Sequence, residues 1–280
     1  MNRTNGSAIE FVDVVKTFPS LASPGGEQVV LGGVSFQIPK GRTTVIVGGS
    51  GQGKSVSLKL ALGLLRADSG RVLVDDTDVS AMSRNQLNVV RSRFGVLFQG
   101  AALFDSLTVF ENVAMPLQER TRMKRDAVAI KVFDVLAKLG LMGHENKYPA
   151  QLSGGMRKRV GLARALQLSP EIMFFDEPTT GLDPLRTHEI YQLLFDTQQE
   201  YGYTSVIVSH DIPQIFNLAD KIIVLLDGCV SQFHGSEELY LSREPQLEKF
   251  LQITMGHVYV SGEYEPAAVS LSSGNGLQQG

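Results

Sequence analysis

The chain has 280 residues, 43% of them hydrophobic, enough to bury a full core in one large domain or two small ones. A net charge of -3 and a pI near 6.0 give no basic field of the kind that gathers nucleic acid or anionic lipid, so no nucleic-acid partner is expected. One cysteine, Cys229, excludes an internal disulfide and a multi-cysteine metal site, and it reads as a small core hydrophobe. The opening MNRTNGSAIE has no apolar h-region, and no apolar run approaches the roughly 18 residues that cross a bilayer. If this protein serves a membrane, another chain is expected to cross it.

In chain order, IEFVDVV and VVLGGVSFQI lie between Ala8 and Lys40, separated by the turn-rich stretch from Pro19 to Glu27, and predict an antiparallel layer. Thr43 to Val47 is short, β-branched and continuously apolar, the pattern of a central strand covered on both faces. A helical pattern follows over Val56 to Leu65. Gly100 to Tyr148 is mostly helical and reads as a subdomain inserted in an α/β core. Met156 to Leu168 is again helical, Ile172 to Phe175 is a second buried strand, and Pro184 to Glu200 is a helix. That helix has Asp183 as its N-cap, Pro184 at the first helical position, and Ile190, Leu193 and Leu194 along one face. Ser205 to Val208 is the third buried strand, LLDGCV predicts a hairpin around Asp227 and Gly228, and Ser236 to Leu251 reads as helix. The tail after Glu265, rich in Ser, Gly and Gln, is expected to be mobile.

The three buried strands end in GGSGQGKS, DEP and SHD. In open α/β sheets ligands bind beyond the carboxyl ends of the strands, so the three clusters should meet on one rim. Gly48, Gly49, Ser50, Gly51, Gln52, Gly53, Lys54 and Ser55 match GxxxxGK[ST] between a strand and a helix. Such a loop points backbone N–H groups inward, and the helix start ending at Val56 adds its positive dipole end, a site for the polyphosphate of ATP. Lys54 is suited to the β/γ-phosphates and Ser55 to Mg²⁺. Asp176 is suited to holding the Mg²⁺ shell, and Glu177 to orienting and deprotonating an attacking water. These features fit kinases, GTPases, nucleic-acid motors and transporter ATPases alike.

LSGGM at Leu152 to Met156, between the glycine-rich loop and the Asp176-Glu177 pair, resembles the signature of ABC ATPases. The resemblance covers roughly residues 8 to 240. It implies a P-loop NTPase (RecA-like) α/β core with an antiparallel β layer and an inserted helical subdomain at about 100–157, the nucleotide-binding domain occupying 1–245 and a C-terminal extension 246–280. It makes Gln99 in LFQG the Q-loop residue, a further Mg²⁺ contact, GLDP at Gly181 to Pro184 the D-loop, His210 the switch histidine and Phe18 the aromatic that stacks on adenine. Ser153 to Gly155 also read as an N-cap and an anion site. At 1.5 Å per residue the following helix spans about 20 Å and, at 3.3 Å per residue, the next strand returns by roughly 17 Å. That arithmetic leaves the signature on the same rim without choosing between its own nucleotide and a partner's. The resemblance chooses the partner: Ser153, Gly154, Gly155 and Asp183 would act in trans in a homodimer that sandwiches two ATP molecules.

GVLFQGAALFDSLTVFENVAMPL and LSGGMRKRVGLARAL are similar to the Mla-type ATPases, which work with MCE proteins and a permease to move phospholipids. Met156 stands where many nutrient importers have glutamine, and Gly100 to Phe104 form a small, apolar stretch expected to meet the permease. The implied setting is peripheral, on the cytoplasmic face of the inner membrane, with an integral permease as partner and room for an MCE-domain protein and a small regulatory subunit. Gly49 replaces a proline common in the family, a change that glycine's backbone freedom should make harmless. The stretch PSLASPGGEQ after Phe18 is longer than usual, and Ile253 to Gly280 does not match the Mla-type extension. Other readings are the ATPase of a different exporter or importer, a soluble ABC ATPase of DNA repair or translation, and a kinase or GTPase. No second cassette, long coiled coil or basic patch supports the soluble machines.

Overall fold

The computed structural model describes residues 6–20 and 26–255. The tail beyond Glu265 lies outside these residues. β1 (Ser7–Pro19) and β2 (Glu27–Pro39) pair antiparallel and, with β4 (Ser69–Val74) and β5 (Thr77–Asp78), form a four-stranded sheet in the order β2-β1-β4-β5. A second sheet contains β3 (Thr43–Val47), β6 (Phe94–Leu97), β7 (Ile172–Asp176), β8 (Thr204–Val208), β9 (Lys221–Leu226) and β10 (Cys229–Phe233), in the order β10-β9-β3-β8-β7-β6. Its pairings are parallel except that of β9 with β10, the expected hairpin.

The unbroken apolar runs follow from two-sided burial. Val45, Val47, Met173, Phe175 and Ile207 join one core cluster, while the alternate residues Ile46, Ile172, Phe174, Val206 and Val208 join the other. A period of two therefore sends successive apolar side chains to opposite cores, and polar residues have no face to occupy. The second cluster is completed by Phe11, Phe36 and Val72 of the antiparallel sheet and by Leu58 of helix α1 (Lys54–Ala61).

The first cluster holds the apolar faces of α3 (Val109–Arg120), α4 (Arg125–Lys138), α5 (Gly154–Leu166) and α6 (Pro184–Tyr201). Thr108 and Glu111 form a capping box on α3, and Asp183 caps α6 by accepting the Arg186 N–H at 3.0 Å. Several boundaries differ from expectation. α1 starts at Lys54 and stops at Ala61, before Gly63 at φ +65, where a helix cannot continue. The stretch from Ser236 is two helices, α7 (Ser236–Leu241) and α8 (Pro245–Thr254), because a residue before proline is driven from the helical region and Glu244 sits at ψ 118. Helix α2 (Arg84–Arg91) and strands β4 and β6 went unread; β6 is four residues long and includes Gly95. Cys229 is exposed at the start of the hairpin's outer strand and is no core residue.

At the amino ends of the central strands a cleft of about 770 Å³ is lined by Lys40, Asp75, Arg93 and Glu171, among others. Arg93 pairs with both Asp75 and Glu171, and Lys40 with Asp75 at 2.6 Å, joining the two sheets at the end remote from the glycine-rich loop. Burial works against ionisation of Asp75, but hydrogen bonds from Lys40 and Arg93 prevail and hold its carboxyl below 3.8; Arg93 holds Glu171 below 4.5. Both carboxyls therefore stabilise the fold above these values and lose that contribution as pH falls through their depressed native values. Arg93→Met should cost about 1 kcal/mol near neutrality, the scale for a part-exposed network. In urea titrations its deficit relative to wild type should shrink as pH falls below about 4.

Candidate functional site

The glycine-rich loop leaves β3 at Val47 and returns as α1. A Cβ on Gly48 would lie 2.4 Å from the carbonyl oxygen of Leu225 on β9, so only glycine permits that approach. Gly53, at φ +95, would press a Cβ to within 2.8 Å of Leu31. Gln52 locks the loop to the β9–β10 turn: its Nε2 donates to Asp227 Oδ1 at 3.2 Å, and its Oε1 accepts the Asp227 N–H at 2.6 Å. Lys54 is 8% exposed and donates from Nζ to the Gly48 and Gly49 carbonyls at 2.9 and 3.0 Å. Burial pushes the Lys54 ammonium down, against the opposing charges of Glu177 and Asp176. No acidic residue stands in the first turn of α1, leaving its dipole end free for an anion.

The three rim clusters converge as the parallel strand order requires. Ser55 Oγ donates to Asp176 Oδ1 at 3.4 Å, an oxygen pair of the hard type that Mg²⁺ takes. Among the described residues no three His, Cys, Asp or Glu side chains converge as a metal cluster, so such an ion would be shared with phosphate oxygens and water. Glu177 Oε2 lies 2.6 Å from His210 Nδ1; the Glu177 side chain is 13% exposed and that of His210 63%. A carboxylate so held is largely shielded yet lines the cleft, an arrangement able to take a proton from a water. Phe18, Val30, Ser50 to Val56, Gln99, Glu177 and His210 together line a cleft of about 350 Å³, within the range of small-ligand sites.

Ser153, Gly154, Gly155 and Asp183 are not among the residues lining that cleft. Ser153 caps α5 by accepting the Met156 N–H at 3.3 Å, and Arg186 Nη1 donates to Ser153 Oγ at 3.3 Å. Within Gly100 to Phe104, Ala101 is 1% exposed and packed in the core, while Gly100, Ala102 and Phe104 are exposed and Leu103 is half-buried. The reason is a turn in which Ala101 and Ala102 take φ +60 and +46, folding the chain back onto α5.

Lys158 was missed. It lies 5% exposed on α5, where Leu162 and Leu166 follow at i+4 and i+8, and that spacing puts a lysine on the buried face. The Tyr191 hydroxyl was missed as well; it donates to Asp211 Oδ2 at 2.9 Å and lies 3.1 Å from Thr179 Oγ1, joining the segment after Glu177 to the one after His210.

Sequence comparison settles the family. The profile described as "ABC transporter" matches residues 31–180, a span from β2 past the Asp176-Glu177 pair. The chain belongs to the ABC transporter ATP-binding family. It is a P-loop ATPase that binds and hydrolyses ATP. A second profile, "AAA domain, putative AbiEii toxin, Type IV TA system", matches residues 144–217 alone. The Mycobacterium tuberculosis "probable ribonucleotide transport ATP-binding protein mkl" is 39% identical over 266 residues, 95% of this chain and 72% of the relative. The Escherichia coli K12 "intermembrane phospholipid transport system ATP-binding protein MlaF" is 37% identical over 243 residues, 85% of this chain and 90% of the relative. Among solved structures, the dimeric, ADP- and Pi-bound cassette MJ0796 matches at TM-score 0.72 and 32% identity over 81% of this chain and 98% of its own. CbiO1 of Clostridium perfringens matches at TM-score 0.75 and 28% identity over 88% of this chain and 95% of its own.

If Lys54 exchanges its two loop carbonyls for phosphate oxygens in this ABC ATPase, Lys54→Ala removes charge-assisted hydrogen bonds of about 1.5–3 kcal/mol. The Kd for ATP by calorimetry should then rise roughly tenfold to hundredfold.

Proposed function

We propose that this ATPase powers a lipid transporter of the Mla type, as one half of a nucleotide-sandwich homodimer on the cytoplasmic face of the inner membrane. One observation carries the dimer: Ser153, Gly154 and Gly155 stand at the amino end of α5, the kind of helix start that attracts an anion, yet none of them lines the cleft of its own chain. A second copy would supply Ser153, Gly154, Gly155 and Asp183 to the phosphates held by Lys54. The dimeric form of the MJ0796 cassette supports this reading. No helix among the described residues is long and apolar enough to cross a membrane, so transport would require a separate permease. Lipid as cargo rests on the likeness to MlaF over most of both chains. The mkl relative, named for ribonucleotide transport, is the reason to keep a second cargo class in view.

In the mechanism, Phe18 stacks on adenine and the loop N–H groups with Lys54 hold the polyphosphate. Mg²⁺, held through Ser55, Asp176 and Gln99, would neutralise charge on the β- and γ-phosphates. Glu177, oriented by His210, takes a proton from water as its oxygen attacks the γ-phosphorus and the bond to the β-phosphate oxygen breaks, giving ADP and inorganic phosphate. Loss of the γ-phosphate removes the group that Ser153 of the second copy would cap, and the dimer loosens. Residues 1–245 are assigned to this machinery and 246–280 to a C-terminal extension.

Gently solubilised native membranes should yield, with a tagged form of this chain, an integral permease together with an MCE-domain protein, identified by mass spectrometry. A small regulatory subunit would appear in the same sample. Recovery of a different permease without an MCE protein would overturn the lipid reading. Ser153→Arg should leave ATP affinity within about twofold of wild type while abolishing ATP-dependent dimerisation in light scattering, because the substituted side chain fills the space a partner's phosphate needs.

A further inference from the structure

We propose that Lys158 is a positioning residue for ATP hydrolysis, its buried ammonium tying the peptide of Glu177 to the loop that carries Gln99. The inference rests on the reading of Glu177 as the hydrolytic base. Lys158 Nζ donates to two backbone carbonyls, that of Gln99 and, at 3.3 Å, that of Glu177. These residues lie just beyond the carboxyl ends of the adjacent strands β6 and β7, so one ammonium spans two neighbouring rim loops.

An ammonium on the apolar face of α5 is costly, and methionine or leucine would pack there without desolvation. What compensates is specific to the site: the two carbonyls, together with the charges of Asp176 and Glu177, which oppose the downward push of burial on Lys158. The tie also falls where the backbone needs one. Glu177 sits at φ +50, a region non-glycine residues seldom adopt, and its N–H is held by the Val208 carbonyl at 2.9 Å. Lys158 holds the same residue from its carbonyl side, so the carboxylate faces the cleft from a peptide fixed at both ends.

The second half of the bridge is reinforced from the same helix. Arg164 Nη2 and Nη1 donate to the Ala101 and Ala102 carbonyls at 2.9 and 2.8 Å. These are the two residues with positive φ directly after the Gln99 loop. Two cations of α5 therefore hold the backbone from Gln99 to Ala102, and only Lys158 extends that hold to Glu177.

The test is a double-mutant cycle on the full-length chain, using Lys158→Met, Lys158→Gln, Glu177→Gln and their combinations. Lys158→Met should lower kcat roughly tenfold to hundredfold, the scale for a misplaced reacting group, with the Kd for ATP within about twofold of wild type. Lys158→Gln retains an N–H donor and should recover part of the loss. On the Glu177→Gln background neither change should lower residual turnover appreciably, because the lysine acts through Glu177. An unchanged kcat in Lys158→Met, or the same proportional loss in both backgrounds, overturns the inference. If Lys158→Met does not fold, the cycle with Lys158→Gln decides by the same criterion. Glu177→Gln alone distinguishes the two readings. If it keeps turnover, the assignment of the base fails and this inference with it; if it loses turnover while Lys158→Met does not, only this inference fails.

Discussion

Parallel pairing of β3 with β8 and of β8 with β7 is the constraint on which the site depends. Adjacent parallel strands release their chains at the same end, so the loops after Val47, Asp176 and Val208 must share one rim. The pairing is stable only because both faces of the sheet are covered, by the helices on one side and by the antiparallel sheet with α1 on the other. Remove either cover and the strands would need polar residues on one face; the rim could then no longer be built from uninterrupted Val, Ile and Phe.

On that rim charge is balanced rather than absent. Asp176 and Glu177 follow the last apolar residue of β7, and two lysines, Lys54 and Lys158, are buried close enough to feel both. Each lysine uses backbone carbonyls as partners, Gly48 and Gly49 for one, Gln99 and Glu177 for the other. Two buried ammoniums are tolerable only with such partners, since an unpaired charge in a low-dielectric interior costs several kcal/mol. The arrangement suits a polyphosphate, which arrives with its own negative charge: Lys54 can turn from neutral carbonyls to anionic oxygens without leaving the site.

Away from the rim, the Lys40, Asp75, Arg93 and Glu171 network pins the two sheets at their opposite end. Among the described residues no ion pair joins the two sheets at the rim, whose lysine, carboxylates and histidine bond to one another and to backbone carbonyls. Gln52 and Asp227 tie the glycine-rich loop to the β9–β10 turn, while Lys54 donates to the loop's own carbonyls.

Local rules wrote much of this protein into its sequence. GGSGQGKS after a buried run, Asp183-Pro184 at a helix start and Asp227-Gly228 between two strands are short-range signals, each satisfied by its immediate neighbours. So the loop, α6 and the hairpin were legible, as was the meeting of three strand ends. Beyond the reach of local pattern were β4, whose long pairing is with β1 far back in the chain, and the four-residue β6, whose partner β7 lies as far ahead; the break between α7 and α8 was by contrast written locally, in Pro245. The buried place of Ala101 was equally hidden, because it depends on a backbone turn folded against α5. Lys158 shows the division most clearly. Its spacing from Leu162 and Leu166 puts it on the inward face, but its partners are carbonyls of residues 59 and 19 positions away. Sequence by itself determined which residues could carry ATP chemistry; the tertiary structure alone decided which backbone groups hold them in place, because a carbonyl has no signature in sequence and acquires a role only through the contacts that packing creates.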